Sequence, residues 1–172
     1  MTDTSTVSVR PAQTRDVAAM VALMTPLVER RILLGKDLVE LYGAVQEFVV
    51  AVDGEDRVIG YGALHVMWEQ LGEVRTLGVA EGWLGRGVGH RLICALERRA
   101  VDLGLSQLFC LTFEVDFFAR HGFEAVGEDT QLVAAEVYAE LLRSHDEGVA
   151  EFLDLARVKP NTLGNTRMLK RL

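Results

Sequence analysis

The sequence predicts an α/β fold in which helices flank a mixed central β-sheet of about six to seven strands. Short apolar runs with strand character alternate with longer runs in which apolar residues recur every three to four positions. Between residues 73 and 112 a strand, a glycine-rich turn, a helix and a second strand follow one another, and such a crossover makes two strands parallel. The 172 residues fit a single domain, 1–172, with a substantial core.

Each element has its own local signal. Strands are expected at residues 7–10, 48–52, 58–66, 74–79, 105–112, 123–126 and 166–172, and helices at 14–28, 37–41, 88–100 and 113–120. Pro26 is expected to bend or end the first helix, and Asp37 to cap the second. Residues 129–158 form an acidic helical stretch that could be a dimer element or a cover over a site.

Composition excludes several classes of protein. With 49% hydrophobic and 25% charged residues the chain is neither disordered nor membrane-embedded, and its N-terminus lacks a signal-peptide core, which predicts a cytoplasmic protein. A net charge of −7 argues against nucleic acid as a partner. The four histidines and two cysteines show no metal-ligand spacing, so no metal is expected, and Cys94 and Cys110 are interpreted as buried thiols.

The glycine-rich turn predicts an anion site. Gly82, Gly85, Gly87 and Gly89 precede a helix that begins near Val88, where unpaired N–H groups and the helix dipole favour a phosphate. The spacing fits the dinucleotide fingerprint poorly because His90 stands where the last glycine should fall. A P-loop would require Lys and Ser or Thr after Gly87, and neither follows.

The segment from Leu84 to Gly89 resembles the acetyl-CoA signature Q/R-x-x-G-x-G/A of the GCN5-related N-acetyltransferase (GNAT) family, with Leu84 at the Gln/Arg position. The order of elements is also similar to that family's, over most of the chain. The resemblance implies that backbone amides of the turn cradle the pyrophosphate of coenzyme A, flanked by basic side chains. The implied cofactor-binding residues are Leu77, Gly78, Val79, Leu84, Gly85, Arg86, Gly87, Val88, Gly89 and His90.

Five segments in order resemble the acetyltransferase domain of N-acetylglutamate synthases, which catalyse the first step of arginine biosynthesis. They are residues 32–36, 71–79, 103–112, 117–123 and 165–169. Phe118 stands where many GNAT enzymes have a tyrosine acid, and phenylalanine is usual there in this subfamily. Long members carry a preceding amino-acid-kinase-like domain that this sequence lacks, so arginine feedback through such a domain is not expected.

The resemblance implies direct attack of an amine on the thioester of acetyl-CoA. Glu73 is the expected proton acceptor, and the backbone at Leu77 is expected to face the thioester carbonyl. The expected acceptor-binding residues are Lys36, Arg75, Thr76, Thr112 and Arg167. Gly164 replaces an arginine of the long members, which makes glutamine a rival to glutamate as acceptor. Another small amine, or a CoA-binding regulatory module without turnover, remains as an alternative.

Overall fold

A computed structural model describes residues 6–32, 35–127, 130–153 and 164–172. Its strands are β1 (Ser8–Pro11), β2 (Phe48–Val52), β3 (Val58–Trp68), β4 (Leu71–Val79), β5 (Gln107–Thr112), β6 (Glu124–Ala125) and β7 (Thr166–Arg171). Its α-helices are α1 (Val17–Glu29), α2 (Leu38–Gly43), α3 (Val88–Asp102), α4 (Val115–Arg120), α5 (Ala135–Leu141) and α6 (Glu147–Phe152). Leu33 and Leu34, which belong to the first of the five segments of resemblance, lie outside these ranges. So do residue 129 and residues 154–158 of the acidic helical stretch.

The strands form one mixed sheet in the order β1-β2-β3-β4-β5-β7-β6. Every neighbouring pair is antiparallel except β4 and β5, which run parallel as the crossover through α3 requires. The α/β fold class, with a seven-stranded mixed sheet flanked by helices, is therefore confirmed.

Two local expectations at the N-terminal helices have different outcomes. Asp37 starts α2 through a capping box with Glu40, as its residue type predicts. Pro26 lies inside α1, which continues to Glu29, so the expectation that the proline ends the helix is wrong, and a bend at Pro26 stays a prediction. The side chain of Thr25 hydrogen-bonds the carbonyl of Val21, giving that turn one extra contact.

Three apolar clusters attach the helices to the sheet. One packs α3 on the central strands through Leu92, Ile93 and Leu96, all fully buried. A second lies on the opposite face and joins α1 and α2 to β2 and β3. The third joins α5 and α6 to β4 and β5 through Phe109, Val149 and Phe152. No helix in the described ranges is long and apolar enough to cross a membrane.

Candidate active site

The two parallel strands part in the middle of the sheet. Strand β4 pairs with β5 only at Leu71, Gly72 and Glu73, whereas β4 continues to Val79 and β5 to Thr112 with other partners. The sheet therefore opens into a cleft beyond Glu73. Polar backbone groups of β4 on this side are left without a ladder partner in the sheet.

A β-bulge shapes β4 beside this cleft. The register with β3 shifts between Ala63, opposite Arg75, and Tyr61, opposite Gly78, so β4 has one extra residue there. Thr76 takes a φ of 56°, an uncommon value for a β-branched residue. Because of the extra residue, the side chains that follow it point to the opposite face of the sheet from the one that regular alternation would give. The Leu77 side chain lies over Gly62 on the α3 side, while a Cβ on Gly78 would meet the Tyr61 hydroxyl on the other side.

The glycine turn lies just beyond β4 and leads into α3. Gly85 and Gly87 have φ values of 73° and 76°, which favour glycine, and a Cβ on either would meet no atom within 4 Å. Gly87 is the N-cap of α3, and no side chain caps this helix. The first N–H groups of α3 therefore have no side-chain acceptor and suit an anion.

Side chains around the turn are arranged in two groups. The guanidinium of Arg86 stacks 5.3 Å from the Trp83 ring centroid, while Leu84 is exposed and Val88 buried. His90 Nδ1 lies 3.0 Å from His121 Nε2, and His121 Nδ1 lies 2.8 Å from the carbonyl of Phe117. Because that carbonyl only accepts, Nδ1 of His121 donates to it, and the two rings are joined by a second hydrogen bond.

A cavity of about 260 Å³ lies on the face of the sheet opposite α3. Lys36 and Arg75, both expected to bind the acceptor, line it together although they lie far apart in sequence. The remaining lining residues are Glu40, Gly43, Ala44, Glu47, Phe48, Ala63 and Asp146. The cavity therefore combines two cations with three carboxylates.

Arg75 is bound by two carboxylates. Its Nε donates to Glu73 Oε2 over 2.9 Å, and its Nη1 and Nη2 donate to Asp146 Oδ2 and Oδ1 over 3.0 and 2.9 Å. Burial alone would lower the pKa of Arg75, but Glu73 and Asp146 raise it overall. Burial likewise opposes ionisation of Asp146, yet the hydrogen bonds and charge of Arg75 lower its pKa to about 2. Arg75 and Asp146 are therefore both charged at neutral pH.

The N-terminus of α6 covers this charged group. Asp146 also caps α6 by accepting a hydrogen bond from the N–H of Val149 over 3.0 Å. A Cβ on Gly148 would come within 2.7 Å of Arg75 Nη2 and of Glu73 Oε2, so the helix backbone lies directly on this pair. Within the acidic stretch, the start of α6 thus covers the Arg75–Glu73 pair, and a role in a dimer stays a prediction. Sequence reasoning missed Asp146 as a contact, although an Asp before a helix is a recognisable cap signal.

Three of the expected acceptor residues lie outside the cavity lining: Thr76, at the bulge of β4, Thr112 and Arg167. The Thr112 hydroxyl accepts a hydrogen bond from the N–H of Glu114 over 2.8 Å at the start of α4. Arg167 donates to the carbonyl of Phe152 over 2.6 Å, and its guanidinium lies 5.9 Å from the ring centroids of Phe109 and Phe152. In this structure Arg167 binds the last turn of α6, and its acceptor role stays a prediction.

The two cysteines and Phe118, also singled out in the sequence, do not line the cavity. Cys110 is buried and Cys94 half-buried, and both are free. Phe118 is buried and packs edge-on against Phe123, with ring centroids 5.2 Å apart, as a core residue. No group of three or more metal-binding side chains occurs in the described ranges.

Comparisons with known proteins agree with this geometry. The Acetyltransferase (GNAT) family model matches residues 23–123. A Mycobacterium tuberculosis protein named amino-acid acetyltransferase is 53% identical over 163 residues, covering 94% of this chain and 92% of the relative. A Neisseria meningitidis protein of the same name is 32% identical over 125 residues, but the match spans only 28% of its length.

Solved structures give the same result. A Mycobacterium tuberculosis structure in complex with CoA and NLQ superposes with a TM-score of 0.90 at 51% identity, covering 96% of this chain and 99% of that one. N-acetylglutamate synthase from Neisseria gonorrhoeae, complexed with coenzyme A and N-acetyl-glutamate, superposes with a TM-score of 0.77 at 25% identity. That match covers 98% of this chain and 35% of the synthase. The chain belongs to the acetyltransferase (GNAT) family.

Proposed function

We propose that this chain transfers the acetyl group of acetyl-CoA to the α-amine of a small amino acid, L-glutamine or L-glutamate. The observation that carries the proposal is the position of the acceptor cavity. Lys36 and Arg75 line it on one face of β4, and the bulge of the same strand borders the cleft that leads to the glycine turn. An amine in the cavity and a thioester in the cleft would thus meet across β4.

On the donor side, we propose that the glycine turn binds the pyrophosphate of acetyl-CoA through the first N–H groups of α3. The relatives solved with CoA support this assignment. The backbone from Leu77 to Val79 would face the thioester carbonyl, where an N–H group stabilises the negative charge that develops on oxygen. Holding both substrates on one strand supplies the proximity that the reaction needs.

On the acceptor side, Lys36 is the proposed partner of the α-carboxylate. Arg75 is already bound by Glu73 and Asp146, whereas Lys36 forms no ion pair with a described residue. The cavity therefore offers one uncommitted cation, and its carboxylates repel a second negative charge. This balance favours glutamine, whose side chain is neutral, over glutamate.

The relatives suggest a biological setting for the reaction. An enzyme that acetylates glutamate or glutamine on the α-amine fits the first step of arginine biosynthesis, and we place the protein in the cytoplasm on its composition. A homodimer is a further proposal, open to measurement by light scattering.

The test is release of CoA thiol by the purified chain with acetyl-CoA and a panel of amines. We expect glutamine and glutamate to raise the rate well above the rate without amine, and putrescine and lysine side-chain analogues to raise it little. Turnover of a different small amine only would transfer the assignment to that amine. Tight CoA binding with no amine-dependent thiol release would instead indicate a CoA-binding module without turnover.

A further inference from the structure

Glu151 of α6 has one carboxyl oxygen that is buried and unpaired in the described part of the chain. Its Oε1 is inaccessible to solvent and has no hydrogen-bond partner among the described residues. A buried polar oxygen left unpaired costs about 1–3 kcal/mol. A stable fold would replace this side chain unless a ligand completed its contacts or the reaction used it.

The position of Glu151 follows from the packing of α6. Gly148, which precedes it by three residues, lies against Arg75 and Glu73 of β4. Residues three apart in a helix share one face. Glu151 therefore continues, one turn further along, the face of α6 that is turned toward the charged pair on β4.

The surrounding charges make Glu151 a weak acid. Burial raises the pKa of Glu151 to about 7, and the charges of Glu73 on β4 and Glu147 on α6 raise it, while Arg75 on β4 and Lys36 before α2 oppose the rise. A carboxyl that titrates close to neutral pH suits proton transfer, because it is ionised often enough to accept a proton and basic enough to hold it. Lys36, one of the charged groups that act on Glu151, also lines the acceptor cavity.

Glu73, the carboxylate expected to take the proton, has a cationic partner in Arg75. Its Oε2 contacts Arg75 Nε at 2.9 Å and Arg75 Nη2 at 2.8 Å. Both contacts come from the same guanidinium and end on the same oxygen, so Oε2 of Glu73 already accepts charge-assisted hydrogen bonds. Two neighbouring carboxylates in contrasting environments take different roles.

We infer that Glu151 accepts the proton that the acceptor's ammonium group must lose before attack, while Glu73 remains the ion-pair partner of Arg75. The inference rests on the proposed function. One N–H bond of the ammonium breaks, and its proton goes to the Glu151 carboxylate. The free amine then forms the N–C bond with the acetyl carbon, the C–S bond breaks, and a second amine proton goes to the leaving thiolate. Glu151 finally returns its proton to solvent.

The test is the pH dependence of kcat for the parent and for Glu151→Gln, measured with saturating acetyl-CoA and glutamine. The parent should lose activity below the pKa of Glu151, about 7. The variant should be at least tenfold slower at neutral pH, since a positioned base contributes about 10²–10⁴-fold. Its rate should then rise with pH and approach the parent's at about pH 10, where solution deprotonates the amine.

Three companion variants make the result specific. Glu136→Gln removes an exposed carboxylate from α5 and should match the parent. Glu73→Gln should move the acid limb to lower pH, because the charge of Glu73 raises the pKa of Glu151, whereas the limb would disappear if Glu73 were the base. Glu151→Asp keeps an acid at the position and should keep the limb at a reduced rate. It also serves if Glu151→Gln fails to fold by circular dichroism.

The outcomes separate this inference from the proposed function. An active parent with an unchanged profile in Glu151→Gln overturns the role of Glu151 and leaves the function in place. The same role is overturned if the rate falls equally at every pH, because a structural defect would not be rescued by alkali. A parent that turns over no amine refutes the proposed function, and the inference with it.

Discussion

The cofactor side and the acceptor side of β4 differ in burial and in the groups that they offer to a ligand. The glycine turn is exposed and consists mostly of backbone, with open space around Gly85 and Gly87. The acceptor side is a buried set of charges in which Glu73 is 3% exposed and Arg75 is held by two carboxylates. The cofactor side offers backbone N–H groups, which every residue except proline has. The acceptor side depends on particular side chains that the fold brings together.

This difference has an energetic consequence. The N–H groups at the start of α3 lie in an exposed turn, so leaving them without an intrahelical partner lowers the stability of the fold little. Changes in the turn should therefore affect ligand binding more than the free energy of unfolding. Buried charges are stable only as a complete set, since removal of one partner leaves another charge unpaired in a desolvated place. Changes on the acceptor side should therefore affect stability and activity together.

The largest expected effect is on the acceptor side, at Arg75. Arg75→Ala leaves Glu73 and Asp146 without their shared partner and should lower the free energy of unfolding by about 3–5 kcal/mol. Arg143→Ala is a matched control, because Arg143 pairs with Glu140 on the surface and should contribute less than about 1 kcal/mol. Urea unfolding measures both. Equal, small losses would show that the Arg75 cluster is not a desolvated unit.

The next effect is on the cofactor side, at Gly87. Gly87→Val adds a branched side chain at a φ of 76° where phosphate is expected, and should weaken acetyl-CoA binding at least tenfold, or about 1.4 kcal/mol. Gly82→Ala is the control, since a Cβ there meets no atom within 4 Å and its φ is not positive. Calorimetry on the folded proteins reads out both. Unchanged affinity in Gly87→Val would refute the phosphate site.

A smaller effect concerns stability against pH. Since folding raises the pKa of Glu151 from 4.5 to about 7, the neutral carboxyl stabilises the folded state at low pH, and this contribution is lost as pH rises through that window. Glu151→Gln cannot ionise, so between these pH values its stability should improve relative to the parent by about 1–2 kcal/mol after allowing for partial exposure. Glu136→Gln should follow the parent. A constant difference between parent and Glu151→Gln would contradict the shifted titration.

The two sides also differ in how far the sequence predicted them. The turn, the start of α3 and the parallel pair β4–β5 depend on neighbouring residues, and local patterns indicated all three. Asp146 meets Arg75 from 71 residues away, and nothing local in α6 specifies that contact. The bulge at Thr76 could not be predicted locally, because the residues of β4 give no signal for a positive φ.

The same reasoning explains the mixed result for the expected cations. The family resemblance and their positive charge predict that Lys36 and Arg75 bind the acceptor, and tertiary packing brings both to one cavity. Arg167 was chosen on the same ground, but its partners are the carbonyl of Phe152 and two aromatic rings. Charge alone indicates which residues could bind a carboxylate. It does not indicate which of them have a structural partner.

The most direct test of the account is the kinetics of Lys36→Ala with glutamine and with glutamate. A charge-assisted hydrogen bond to a carboxylate is worth about 1.5–3 kcal/mol, so its loss should lower kcat/KM about ten- to a hundredfold, mainly through KM for the amino acid. If Lys36 binds the α-carboxylate, both substrates lose equally and Lys36→Arg restores part of the loss, with acetyl-CoA affinity unchanged. Equal kinetics in Lys36→Ala and the parent would remove Lys36 from the site and contradict the acceptor cavity.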